Sequence, residues 1–225
     1  MPNSIKVYQD SERFATLTHK SSNIKTGDME QLTILPWISP EQAVKLGLDS
    51  AVCGDCAFSG KANGGTGLCY VNTGQAPRAV WSVTKDAEVG AIPASNKPIR
   101  LGAYGDPAFL PLALLKTLTN GRKHTGYTHQ WETCDKGYSS VLMASIDDQT
   151  AGRKGLTADQ LRQQAKAKGY RTFRAIRDAA EMLPGEIMCP NTTKGIQCAD
   201  CGLCNGASGA KDIVIQIHGP SKGLY

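Results

Sequence analysis

The stretch CPNTTKGIQCADCGLC, Cys189 to Cys204, holds four of the chain's eight cysteines in sixteen residues. No other feature narrows the fold so far. Thiols gathered this closely need either a shared metal or an oxidising compartment that pairs them as disulfides. Cys198, Cys201 and Cys204 form C-x2-C-x2-C, and Cys189 lies nine residues upstream, followed by Pro190. A tetrahedral zinc site draws on two separated C-x2-C pairs. Three cysteines at successive spacings of three suit a [4Fe–4S] cubane better, because one short loop reaches three iron corners and a remote Cys takes the fourth.

Bacterial ferredoxins use the same triplet with a distant Cys-Pro as fourth ligand. Here the Cys-Pro comes before the triplet, so the agreement is one of logic and not of order. Gly202, Gly206 and Gly209 allow backbone N–H groups to approach the sulfides and offset their charge. Zinc is the alternative occupant.

A second set lies in CGDCAFSGKANGGTGLCYVN (53–72), with Cys53 and Cys56 as a C-x2-C pair and Cys69 beyond a glycine-rich loop. Cys134, in HQWETCD, is the one cysteine left and would complete a second four-cysteine site. The plainer alternative makes Cys134 a buried thiol and gives the other three a zinc with a non-cysteine fourth ligand. A cubane held by three cysteines alone keeps an open iron that can bind substrate.

With 225 residues, 40% hydrophobic and 20% charged, the chain has enough apolar material for a folded core. The N-terminal twenty residues lack the apolar stretch of a signal peptide. The longest apolar run, AFLPLALLKTL (108–118), is too short to span a bilayer and contains a proline. We therefore expect a cytoplasmic, reducing setting with no membrane partner, where clustered cysteines bind metal. The net charge of +5 is mild and would fall as thiolates form, so it does not by itself argue for nucleic acid.

Residues 1–30 are polar and weakly patterned and read as a surface arm or edge element. Residues 31–225 read as a single α/β domain with two cysteine-rich metal-binding loops. LTILPW (32–37) is expected as a strand, and SPEQAVKLG (39–47) as a helix capped by Ser39 with Pro40 in its first turn. RAVWSV (78–83) and IRLGAYG (99–105) are expected as strands, and DPAFLPLALLKTL (106–118) as a helix. VLMASID (141–147), TADQLRQQAKAKG (157–169), YRTFRAI (170–176) and DIVIQIHG (212–219) follow as strand, helix, strand and strand. Such alternation predicts an α/β fold: an open or partial-barrel, mostly parallel sheet with flanking helices, with too few units for an eightfold barrel.

RLGAYGDPAFLP (100–111), TGYTHQW (125–131), VLMASID, GYRTFRAI and the closing Cys-Pro, CxxCxxC and IQIHG together resemble a cysteine-rich iron–sulfur protein family of tailed bacteriophages, including phages of mycobacteria. The resemblance covers roughly residues 50–219. That family is distantly similar to the barrel of radical S-adenosylmethionine enzymes. It implies an iron–sulfur protein of viral origin, at work in the cytoplasm of an infected host cell, and it supplies no substrate. The chain lacks the C-x3-C-x2-C of those enzymes, which argues against their radical chemistry here.

Other residues carry weaker signals. Asp106 is placed to orient a ligand at a strand end or, more simply, to cap the following helix. His129, beside Tyr127 and Trp131, suits a general acid/base, a cluster ligand or a hydrogen-bonded loop imidazole. His124 and His218 have no supporting pattern. KANGGTG (61–67) lacks the G-x-x-x-x-G-K-[ST] of a phosphate loop and better serves to wrap a metal site. Lys166, Lys168, Arg171, Arg174 and Arg177 interleave with Tyr170 and Phe173, which suits nucleic acid or a solvated helix face.

The expected function is one-electron transfer through one or two [4Fe–4S] clusters to a redox partner the sequence does not identify. The alternatives are a radical S-adenosylmethionine-like enzyme and a zinc-stapled module that binds nucleic acid. The oligomeric state is not legible.

Overall fold

In the computed structural model, which describes residues 3–206 and 211–217, the polar N-terminus forms strands and not an arm. Strand β1 (Ser4–Gln9) pairs antiparallel with β2 (Arg13–Thr18), and β2 with β3 (Glu30–Pro36). Every residue of β2 and β3 is buried, while β1 is the sheet edge. Polar residues hid this pattern because they pair locally. The Thr16 hydroxyl meets that of Thr84 at 3.0 Å, Thr18 meets Ser4 at 3.0 Å, and the Lys6 ammonium lies 4.9 Å from the Phe14 ring centroid. Buried hydroxyls and a cation over an aromatic face cost little when so matched.

Helix α1 (Pro40–Leu46) forms as expected. The Ser39 side chain accepts from the Gln42 amide, Pro40 occupies the first turn, and Gly47 ends it at φ 71°. A short helix α2 (Ser50–Cys53) follows.

RAVWSV is not a strand but part of helix α3 (Ala76–Thr84). Its β-branched and aromatic residues suggested a strand, but Pro77, Val80, Trp81 and Thr84 recur at helical spacing and face inward, and Val83 is 68% exposed. Trp81 Nε1 donates to the Pro36 carbonyl at 3.2 Å and holds α3 against β3.

The expected strand 99–105 shortens to β4 (Ile99–Arg100), because Gly102 and Gly105 turn the chain at φ 70° and 78°. The expected helix 106–118 splits. Asp106 caps a 3-10 turn at Pro107–Phe109, and Pro111 precedes a fresh helix, α4 (Leu112–Thr119).

The remaining strands are β5 (His124–Thr125), β6 (Tyr127–Thr128), β7 (Met143–Ile146), β8 (Thr172–Ile176), β9 (Glu186–Met188) and β10 (Asp212–Gln216). Helices α5 (Asp148–Arg153) and α6 (Ala158–Ala167) link β7 to β8. A capping box of Thr157 and Gln160 starts α6. Helices α7 (Pro190–Lys194) and α8 (Cys198–Cys201) precede β10. Residues 218–219 of the expected last strand, with His218, lie outside the described residues.

The sheets run β1-β2-β3-β4-β5 and β6-β7-β8-β10-β9, and all pairings from β3 onward are parallel. They make an open α/β fold. Among the described residues the outer strands β1 and β9 do not pair with each other. No described helix is long and apolar enough to cross a membrane.

Only Gly126 separates β5 from β6. Its amide donates to the Cys204 carbonyl at 2.9 Å and its carbonyl accepts from Met143 at 3.0 Å. A Cβ there would lie 2.7 Å from Leu142 Cδ2 and 3.0 Å from Leu101 Cβ. One bare residue therefore joins both halves of the sheet. Around it packs a core that includes Phe14, Leu17, Leu32, Ile34, Leu101 and Leu142.

The basic stretch 166–177 is largely engaged within the fold. Arg174 clamps Glu186 through two hydrogen bonds of 2.8 Å, Lys166 binds Asp212 at 2.9 Å, and Arg171 donates to the Leu203 carbonyl at 2.8 Å. The first two tie β8, β9, β10 and α6 together, and the third fixes the loop that carries Cys204.

Gly126→Val should overpack this junction and destabilise the fold by about 1–3 kcal/mol. Urea unfolding checks this, and a midpoint equal to that of the parent chain would contradict it.

Candidate metal centre

Cys189 follows β9 directly, and its amide donates to the Val214 carbonyl at 2.8 Å. Pro190 opens α7, and Gly195 closes it at φ 68°. Cys198 and Cys201 then occupy the two ends of the single-turn α8. Gly202 reverses the chain at φ 62° towards Cys204. This loop is sewn to the turn at residues 24–26. Cys198 donates to Lys25 at 3.1 Å, Ala199 to Thr26 at 3.0 Å, and the Gln197 side chain to Ile24 at 2.8 Å. Gly206, at φ 75°, lies so close to the next strand segment that a Cβ would stand 2.3 Å from the Leu142 amide nitrogen. Gly209 lies outside the described residues.

The four thiols converge. Burial pushes the Cys204 thiol up to about 12, and Cys189, Cys198 and Cys201 push the same way, against a hydrogen bond with Tyr127. Cys198 is raised by burial and then by Cys189, while Arg100 opposes the rise. Thiolates gathered in such a site repel one another unless a cation stands between them.

In the other set, Cys53 ends α2 and Gly54 takes φ 58°, ψ −132°, a conformation reserved for glycine. The glycine-rich loop folds on itself. Gly60 donates to Asp49 Oδ2 at 2.9 Å, and Thr66 donates to the Ala57 carbonyl at 2.9 Å. A Cβ on Gly65 would lie 2.1 Å from the Ser59 carbonyl oxygen. The loop returns Cys69, whose amide donates to Phe58 at 3.0 Å.

Burial, then Cys56 and Cys69, hold the Cys53 thiol well above its ordinary range, and Asp49 and Asp106 add to the rise. Cys69 is exposed at the surface, yet desolvation of its sulfur pushes the thiol up to about 11. Cys53, Cys56 and Cys69 thus share one site.

Cys134 stands elsewhere. Its sulfur lies 3.2 Å from the Tyr170 hydroxyl, on the side of the buried Trp131. The charges that act on it most are those of Asp106 and Asp135.

Two residues near Cys53, Cys56 and Cys69 come from the carboxyl ends of parallel strands, where ligand sites in α/β folds collect. His129 follows β6, and Asp106 lies in the loop after β4. Asp106 caps the 3-10 turn as expected, with Ala108 donating to Oδ1 at 2.9 Å. Its Oδ2 also accepts the His129 amide at 2.7 Å. Burial raises the Asp106 carboxyl above its usual range, against the charge of His129 and these amide hydrogen bonds. His124 has a structural role, with its Nε2 donating to the Asn205 carbonyl at 2.7 Å and the Val141 carbonyl at 3.1 Å.

Arg100 was not singled out from the sequence, yet it stands between the two cysteine sets. Its guanidinium donates to the Tyr70 hydroxyl at 2.6 Å, and its charge acts on both Cys69 and Cys198. Tyr127, whose ring lies 4.1 Å from that of Phe173, faces Cys204 and feels the same cation. The available signal was position: Tyr70 adjoins Cys69, and Arg100 ends a strand.

Among the described residues, no three His, Cys, Asp or Glu side chains stand as close as one metal ion requires. Comparisons with protein families, with curated proteins and with solved structures find no match to this chain.

In metal-free protein, the raised Cys69 thiol should be roughly a thousandth ionised at pH 8, against about a quarter for an ordinary thiol near 8.5. Its alkylation rate should climb about tenfold per pH unit until pH approaches 11. Mass-spectrometric labelling rates measure this, and a plateau below pH 9 would contradict it.

Proposed function

We propose that the chain is an iron–sulfur protein that passes single electrons, with Cys189, Cys198, Cys201 and Cys204 holding a [4Fe–4S] cluster. The observation that carries this reading is the convergence of four thiols, Cys204 buried and the other three half-buried, on a loop pinned at both ends. When bound, such a cluster supplies reversible one-electron transfer. The chain's own part is to hold the four thiolates, shield them from water, and set Tyr127 and Arg100 against them. The hydroxyl and the cation stabilise negative charge and so bear on the potential. The charge of Arg100 acts on both cysteine sets.

Zinc fits less well. A tetrahedral zinc draws thiolates to about 3.8 Å from one another, given its bond length. Cys198, Cys201 and Cys204 at successive spacings of three, with Cys189 apart, suit the corners of a cubane better than the two separated pairs of a zinc site. The nucleic-acid reading loses support because Lys166, Arg171 and Arg174 are bound within the fold. Four thiolates leave no vacant iron at this cluster for S-adenosylmethionine. The phage resemblance would place the carrier in an infected cell, with a redox partner still to be found.

Anaerobic iron, sulfide and zinc analysis tests the reading first. Cys201→Ser should lose about four irons per chain and part of the fold's stability, since metal-binding energy is folding energy at such a site. Potentiometry followed by electron paramagnetic resonance should give a reproducible midpoint indifferent to S-adenosylmethionine. Full zinc without iron, or 5′-deoxyadenosine released by the reduced protein, would overturn the proposal.

A further inference from the structure

Several buried polar groups beside Cys53, Cys56 and Cys69 lack a partner. His129 Nε2, the Tyr104 hydroxyl and Asp49 Oδ1 make no hydrogen bond. Tyr104 is 4% exposed and Asp49 is 1% exposed, so solvent does not satisfy them. Orphaned buried groups are uncommon and costly, at about 1–3 kcal/mol each. Tyr104 and Asp49 act electrostatically on, or are acted on by, Cys53 and Cys69, so the orphans surround the same thiols.

The orientation of His129 is fixed. Its amide is held by Asp106 Oδ2, and its Nδ1 lies 3.9 Å from the same oxygen. Phe58, from the loop between Cys56 and Cys69, meets the ring edge-on, with centroids 6.4 Å apart and planes at 90°. The ring also feels the Cys56 thiol, and Nε2 is the ring nitrogen left without a hydrogen-bond partner.

A carboxylate behind one ring nitrogen and a bare second nitrogen beside thiols is the arrangement of a metal-bound histidine. We propose that Cys53, Cys56, Cys69 and His129 hold a second iron–sulfur cluster, with His129 Nε2 as the fourth donor and Asp106 as the residue that positions the ring. The inference rests on the iron–sulfur reading of the C-terminal set. It replaces Cys134, whose sulfur is turned to Tyr170.

Charge supports the exchange. Asp49 and Asp106 already act on Cys53. A fourth thiolate would add another negative charge to this enclosed site, whereas a neutral imidazole adds none. On binding, the three thiols release their protons, and the His129 ring must also give up a proton before Nε2 can donate its lone pair. Imidazole in place of thiolate raises a cluster's potential, so the two centres would differ in potential across Arg100.

The test uses the full chain, reconstituted anaerobically with iron and sulfide. Iron analysis and pulsed electron paramagnetic resonance of the reduced protein are read together. The parent chain should bind about eight irons and show strong nitrogen coupling. His129→Ala should lose that coupling and fall to about four irons. His129→Cys should keep about eight, lose the coupling and lower one midpoint, which separates ligation from a folding role. Cys134→Ser should change none of these.

A parent spectrum without nitrogen coupling would overturn the proposal, as would loss of iron in Cys134→Ser with His129→Ala unaffected. About four irons, lost only in Cys201→Ser, would sink this inference and leave the C-terminal cluster standing. No iron in any chain would sink both.

Discussion

Gly126 links the last strand of one sheet to the first of the other, and it has no side chain because none fits. Its amide holds the carbonyl of Cys204, its carbonyl holds Met143, and the space a Cβ would need is taken by Leu101 and Leu142. The antiparallel strands of the N-terminal hairpin and the parallel strands of the C-terminal half therefore join through a single interrupted strand, β5 and β6. The same amide fixes the loop that ends in Cys204. A sheet junction and the position of Cys204 thus depend on one close backbone approach.

From that junction the two cysteine sets acquire their relation. β4 delivers Arg100 and, beyond it, Asp106. β6 delivers Tyr127 and then His129. Tyr127 and Arg100 face the C-terminal set, while His129 and Asp106 face the other. One strand from each sheet so furnishes both sites. On the far side, Arg174 clamped to Glu186 anchors β9 and hence Cys189. Burying a charged pair costs desolvation, and the geometry here is bidentate, which is where such pairs best recover that cost.

The two sites also differ in how well their polar groups are met. The C-terminal loop is hydrogen-bonded along its length to residues 24–26, Gly126 and Val214. The other site leaves Tyr104, Asp49 and His129 each with an unpaired atom. The first loop is therefore locally ordered, while the second set sits among buried polar groups that are not yet satisfied.

Much of the fold was legible where local chemistry and burial agree. Ser39 with Pro40, the helical stretch at 157–169 and the apolar runs at 141–147 and 170–176 announced their elements, and the alternation of strand and helix announced an open or partial-barrel, mostly parallel sheet. The spacing of Cys189, Cys198, Cys201 and Cys204 singled out a set that the structure also gathers. Other features depended on partners distant in sequence. β2 looked polar because its threonines are satisfied by Ser4 and Thr84. α3 looked like a strand because the β-branched and aromatic residues of 78–83 outweighed a helical face that only β3 makes useful. Cys134 looked like a ligand by elimination, yet the packing of Trp131 and Tyr170 holds it apart. Spacing along the chain determines which thiols a short loop can gather. Which distant groups meet them, Arg100, Asp106 and His129 among them, is decided only when the strands are laid side by side, because those meetings cross the sheet and leave no period in the sequence.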